Sequence, residues 1–371
     1  MEKKSQRLLS IDALRGFDML FIMGFSSLVV AVCNLFPGGS DCWLASTMGH
    51  AKWHGFTHHD TIFPLFLFLA GMSFPFSYSK QLSSGITAKQ IYLKIFKRAL
   101  ILICLGVVYN GFFKLDFQNL RICSVLGRIG LAWMCAAILY INFKPKARVI
   151  ICAITLVAYW LLIRFVPAPD TPGADPLSMQ GNLIGYIDRL ITPGRLIYDG
   201  GRFDPEGLLS TIPAVVSCML GIFTGEFVRI PDEKISGTRK ALYMAGAAAA
   251  MLALGLLWSL DFPLNKMLWS SSFVLVVGSY CLGMYALFYY LIDVRKWQKW
   301  TKFFTIIGMN SITIYMAQKI FSFSSINRFF FGGLAARLPE QWADLLFDTG
   351  YVAICWLFLY FLYKKKTFLK I

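Results

Sequence analysis

All four histidines of this chain, His50, His54, His58 and His59, fall in one stretch. It reads His50-Ala51-Lys52-Trp53-His54-Gly55-Phe56-Thr57-His58-His59-Asp60 and runs directly into the apolar segment that begins at Thr61. Histidine exchanges protons near neutral pH and ligates transition metals, so placing the whole supply at the mouth of a membrane segment points to chemistry there. The residue types allow three readings. A histidine oriented by a carboxylate, with Asp60 the nearest, can act as general base for a nucleophile attacking an acyl group. Several histidines with an aspartate could instead hold zinc, although the spacing has no tight pair of soft ligands. The loop could also be a solvated interfacial segment whose histidines and Trp53 anchor at the headgroups. His50, His54 and His58 are four apart, so a helix would put them on one face, while Gly55, Trp53 and Phe56 argue against a continuous helix.

Other polar residues sit where polarity is costly. Asp12, Arg15 and Asp18 recur every three residues and form a stripe at the inner end of the first apolar segment. That stripe reads either as a salt-bridged helix entry or as a cytosolic site for an anionic cofactor, with Arg15 as the forked donor. Arg128 lies inside an otherwise apolar run, where it must be paired or face a wet cavity. Asp204-Pro205-Glu206-Gly207 is a good helix start, with Asp as cap and Pro at the first position. The same acids could receive an ammonium-bearing substrate. Asn265-Lys266 ahead of Trp269, Asn310-Ser311 and Gln318 are further polar points, each also compatible with helix–helix hydrogen bonding.

The elements that must carry these residues follow from composition. Hydrophobic residues make up 57% of the chain and charged ones 15%, too apolar for a soluble protein of 371 residues. The pattern predicts an all-α polytopic membrane protein forming a single domain over residues 1–371. Ten spans are expected, near 16–36, 61–79, 98–113, 123–142, 149–166, 208–228, 241–260, 268–292, 303–321 and 346–363. Apolar–polar alternation is absent, which excludes a β-barrel. Alternate connections carry most of the basic residues: Lys3, Lys4 and Arg7, then Lys80 to Arg98, Lys144 to Arg148, Arg229 to Lys240, Arg295 to Lys302, and Lys364 to Lys370. By the positive-inside rule both termini are cytoplasmic and the histidine loop is on the outer face. Most acids fall on that outer side, so the net charge of +16 belongs to the inner rim, facing anionic lipid. No nucleic-acid partner is implied. No cleavable leader is expected, and the nine cysteines behave as small apolar residues, with pairing of Cys33 and Cys42 left open.

Six segments in this order resemble the heparan-α-glucosaminide N-acetyltransferases and their bacterial relatives. They are Arg7 to Gly16; His50 to Asp60 with Phe63-Pro64, Phe68 and Gly71; Val125 to Gly130; Phe203 to Ile212; Asn265 to Ser270; and Gly308 to Ser311. The resemblance implies transfer of acetyl from cytosolic acetyl-CoA, as co-substrate, to the amino group of a glucosamine-type sugar across the membrane, with no metal. It assigns catalysis to His50 and Asp60. Arg15, Arg128, Ser26, Asn310 and Ser311 are expected on the cofactor side, and Trp53, His54, Asp204, Glu206, Asn265, Lys266 and Trp269 on the substrate side. Two departures stand out: Ser26 and His54 occupy positions where the human-type enzyme has asparagine. A form without that enzyme's lumenal N-terminal domain and leading span is expected, which points to a bacterial envelope amino sugar at the inner membrane as the acceptor. Amino-sugar acceptor, membrane lipid and a second copy of the chain are the expected partners. Competing classes are an amino-sugar transporter, for which no repeated halves are found, and an O-acyltransferase of envelope glycans.

Overall fold

Long apolar runs without internal water must satisfy their backbone groups locally, and helices do this. A computed structural model describes residues 8–369, so Lys3, Lys4, Arg7 and Lys370 lie outside the described residues. Among the described residues the chain is helical, with isolated bridges and no extended strand. Eight helical stretches among the described residues are long and apolar enough to cross a bilayer: Leu9–Cys33, His58–Ser83, Val125–Asn142, Pro145–Phe165, Thr211–Val228, Gly237–Trp258, Ser271–Val294 and Glu340–Lys364. The protein is a multi-pass integral membrane protein.

The other two expected spans differ for physical reasons. The one placed at 98–113 begins a full ten residues earlier, as the helix Ala88–Tyr109, because Thr87 and Gln90 close a capping box at its start. Its first half therefore carries Lys89, Lys94, Lys97 and Arg98. The one placed at 303–321 is broken into Thr301–Gly308 and Ser311–Ile320, with Asn310 at the break. The first span is also interrupted: Phe21–Phe25 is a π-helical turn in which Gly24 takes φ +103°, a conformation open to glycine and costly for other residues.

The chain divides into two compact units. The first comprises the described residues of Met1–Ala51, Thr57–Phe66 and Met284–Lys370. Its core gathers Met19, Met23, Ile306, Ile307, Ile314, Cys355 and Leu359. Backbones approach closely here, since a Cβ at Gly16 would overlap the Phe304 carbonyl and one at Gly308 would overlap the Asp12 carbonyl. The second unit comprises Lys52–Phe56 and Leu67–Gly283. Gly71, Gly221 and Gly225 let Ile62–Ser83 and Thr211–Val228 pack backbone to backbone, the small-residue contact that replaces the hydrophobic effect within lipid. A second cluster of this unit, with Tyr159, Ile163, Leu177, Phe203, Phe262 and Leu268, packs against Trp53.

Candidate active site

The histidine stretch is not a helix. Residues 50–57 form bends and extended backbone, and His58–Thr61 makes one 3-10 turn leading into Ile62–Ser83. The shared helical face of His50, His54 and His58 therefore does not arise. Thr57 caps the turn, and its backbone and hydroxyl both engage Asp60. That local bond fixes the carboxylate, and the carboxylate fixes a histidine.

In the first unit, His50 Nδ1 lies 2.8 Å from Asp60 Oδ1. Asp60 Oδ2 accepts from the Thr57 hydroxyl at 2.9 Å and from the N–H groups of Thr57 and Ala51, each at 3.3 Å. Asp60 is 1% exposed, whereas the His50 side chain is 48% exposed. A carboxylate oxygen facing Nδ1 favours the Nδ1–H tautomer of the imidazole, which turns Nε2 into the acceptor. The ring of His59 meets that of His50 edge-on at 4.4 Å, and His59 Nδ1 lies 3.2 Å from the hydroxyl of Ser26. Ser26 is the first residue after the π-helical turn. His58 packs on Phe21 at 4.4 Å.

The remaining expected residues of this unit lie apart from the histidines in sequence and setting. Arg15 sits 3.7 Å from Asp12 on Leu9–Leu20. Asn310, at the helix break, donates to the Thr367 carbonyl at 3.2 Å and accepts from the Thr313 hydroxyl at 3.3 Å; Ser311 follows it and is buried. Asp18 is buried in the same span as Arg15, and its Oδ2 has no hydrogen-bond partner.

The second unit holds the other group. Gly55 donates its N–H to the Leu264 carbonyl and Trp53 Nε1 donates to the Leu177 carbonyl, both at 2.8 Å. These bonds present His54 to Asn265, whose amide nitrogen lies 3.3 Å from His54 Nδ1. Partial burial pushes the His54 pKa down, and Asp175 pulls it part of the way back. Asn265 also accepts the Leu268 N–H at 2.8 Å, and Lys266 accepts the Trp269 N–H at 3.1 Å, closing a turn. Trp269 adopts φ +52°, unusual for a bulky residue, and is buried with Nε1 on Ser217 at 3.1 Å. Arg128 lies 5.0 Å over the Trp269 ring and is held by the Ser210 hydroxyl and by the Gly207 carbonyl at 3.2 Å.

Asp204 and Glu206 are brought together, but by a residue the sequence did not single out. Arg121 grips both oxygens of Asp204 at 2.7 Å and also bonds Glu206, and Asp204 is fully buried. Although burial opposes it, the two acids raise the Arg121 pKa. Asp204 is therefore occupied by a fixed cation rather than open to an ammonium substrate. A third acid, Asp188, accepts the Leu208 N–H at 2.8 Å and is fully buried, with its other oxygen unpartnered. Burial pushes its pKa up to about 6, while the Leu208 N–H and Arg128 pull the other way.

No family model matches the chain. It is 28% identical to heparan-alpha-glucosaminide N-acetyltransferase of Mus musculus over an alignment covering 99% of this chain and 61% of the mouse protein. The Homo sapiens protein of the same name matches at 28% identity, covering 98% of this chain and 60% of that one. The chain is similar to the heparan-alpha-glucosaminide N-acetyltransferases along nearly its whole length. It spans about three-fifths of the length of these relatives.

The sequence pointed to the His50–Asp60 pair and to His54 and Asn265 one by one, not to the contact between them. It missed Arg121, Asp188 and the Ser26–His59 contact. Arg121 stands in an irregular loop without apolar rhythm, and only the excess of acids at 204 and 206 hinted that a cation was owed. Asp188 sits on the short helix Leu183–Ile191, whose strong amphipathic pattern marks a buried face that the carboxylate shares.

Proposed function

We propose that the chain is a transmembrane N-acetyltransferase, a single functional domain over residues 1–371, that moves acetyl from cytosolic acetyl-CoA to the amino group of a glucosamine-type sugar at the outer face, with His50 as base. The observation that carries this reading is the His50–Asp60 pair at 2.8 Å, a buried carboxylate behind a half-exposed imidazole. The names of the two relatives support acetyl transfer to glucosamine. The distribution of basic residues supports cytoplasmic termini and an outer histidine loop.

The acetyl donor suits residues of the first unit. The orphaned, buried oxygen of Asp18 is an acceptor for the amide N–H groups of a pantetheine arm, and Arg15 at the inner end suits phosphate. Bound there, the donor supplies an activated thioester. His50 Nε2 takes a proton from the attacking amine, and Asp60 stabilises the imidazolium that forms. Within the second unit, His54 and Asn265 form a hydrogen-bonded pair with the Trp53 ring beside it, a polar patch suited to sugar hydroxyls.

The test is acetyl transfer from labelled acetyl-CoA to free glucosamine, with purified wild type and His50→Ala side by side. N-acetylglucosamine formed by wild type alone supports both the reaction and the base. Equal product from His50→Ala removes His50 from that role. Label on hydroxyls in place of the amine favours an O-acyltransferase. No product and no donor binding moves the reading to a transporter.

A further inference from the structure

We propose that Ser26 is a nucleophile activated by His59, so that acetyl passes through an O-acetyl-Ser26 intermediate; this rests on the acetyl-transfer reading above. Three observations carry it. The Ser26 hydroxyl lies 3.2 Å from His59 Nδ1, within the range of nucleophile–base pairs. Hydroxyls in other spans behave differently: those of Ser73, Thr155 and Thr224 each bond the carbonyl four residues back at 2.8 Å, the usual fate of a hydroxyl in a helix. Ser26 instead follows directly on the π-helical turn with Gly24 at φ +103°, and its hydroxyl goes to an imidazole. Such interruptions are costly and gather at functional positions. Finally, His59 is itself held, by its backbone bond to the Thr47 carbonyl at 3.1 Å and by the edge-on contact with His50 at 4.4 Å.

Two histidines then divide the work. In the first half, Ser26 Oγ attacks the thioester carbonyl carbon while His59 Nδ1 takes the Oγ proton. The C–S bond breaks, and His59 gives that proton to the sulfur, which leaves as CoA thiol. In the second half the sugar amine attacks the ester carbonyl carbon and His50 takes the amine proton. The C–Oγ bond breaks and Oγ regains one proton as His50 gives one up, so neither histidine is left charged. The sum is thioester plus amine to amide plus thiol. Ser26 lies within the first span, short of its outer end at Cys33, so acetyl is handed on inside the membrane and the bulk of the donor need not cross.

The experiment is to incubate purified protein with isotopically labelled acetyl-CoA and no acceptor. The readouts are thiol released per chain and the acetylated peptide located by mass spectrometry. The expected result is a burst approaching one thiol per chain, acetyl on Ser26, and its discharge on adding glucosamine. Ser26→Ala should lose the burst and at least a hundredfold in turnover. Ser26→Cys, which keeps a nucleophile, should retain the burst as a thioester and serves as the folding control. Steady transfer by wild type with no burst, and Ser26→Ala within threefold of it, overturns the covalent route and leaves His50 as base untouched. Acetyl found on a histidine overturns Ser26 as nucleophile. Absence of both transfer and thiol release overturns this inference together with the reading on which it rests.

Discussion

Asp60→Asn separates orientation of His50 from mere packing of the loop. Asp60 Oδ2 collects three donors, the Thr57 hydroxyl and the N–H groups of Thr57 and Ala51, so the amide oxygen of asparagine takes that place. The amide nitrogen then faces His50 Nδ1, where the carboxylate oxygen stood 2.8 Å away. Two donors oppose each other unless the imidazole moves its proton to Nε2, the nitrogen that must accept the amine proton. A wrong tautomer at the equivalent place in serine hydrolases costs about 10⁴ in turnover. Here the half-exposed ring can recover part of this by rotating into solvent, so the expected loss is about 10² to 10⁴ in kcat, or roughly 3–5 kcal/mol of barrier. The cap survives because three of the four bonds are kept, so the melting temperature should hold within a few degrees. The assay is N-acetylglucosamine formation at saturating acetyl-CoA and glucosamine, paired with thermal unfolding in the same detergent. Turnover within threefold of wild type in a folded Asp60→Asn protein would refute the orienting role and with it the pairing that carries the proposed mechanism.

Arg121→Leu strands Asp204 and Glu206 as buried charges, so unfolding stability should fall by about 3–5 kcal/mol, and adding Asp204→Asn should restore part of it; thermal melts of the single and double variants check this. Asp188 is raised to about 6 chiefly by burial, so its contribution to stability is present below the ordinary carboxylate range and is lost as pH rises through about 6. At about 1.4 kcal/mol per unit, that is roughly 3 kcal/mol. Asp188→Asn should therefore flatten the fall in stability between pH 4 and 7 seen in wild type, read from unfolding at both ends of the range. Gly16→Val places side-chain atoms on the Phe304 carbonyl and should cost about 1–3 kcal/mol with loss of assembly of the first unit; a melt unchanged from wild type would mean that the helix contact yields at no cost.

What the sequence makes legible is what periodicity and charge encode. Runs of apolar residues fix that helices form and roughly where, because length and hydropathy leave no alternative in lipid. They do not encode a capping box that starts Ala88–Tyr109 ten residues early, nor the asparagine that ends one helix at Gly308 and starts another at Ser311. The same division holds at the site. His50 and Asp60 are visible in sequence because ten residues separate them and a threonine cap ties them locally. His54 and Asn265, 211 residues apart, are legible as polar points only. Ser26 and His59 are harder still. A serine in an apolar helix normally bonds its own backbone, and nothing in the hydropathy of Phe21–Phe25 announces a π-helical turn. One extra residue in that turn rotates everything after it by about 100° relative to an uninterrupted helix. That rotation, set by Gly24, decides which face of the span meets the histidine turn. Replacing Gly24 with a residue that carries a Cβ should therefore damage the Ser26–His59 contact more than the fold around it, and activity should fall faster than the melting temperature across a series such as Gly24→Ala and Gly24→Val.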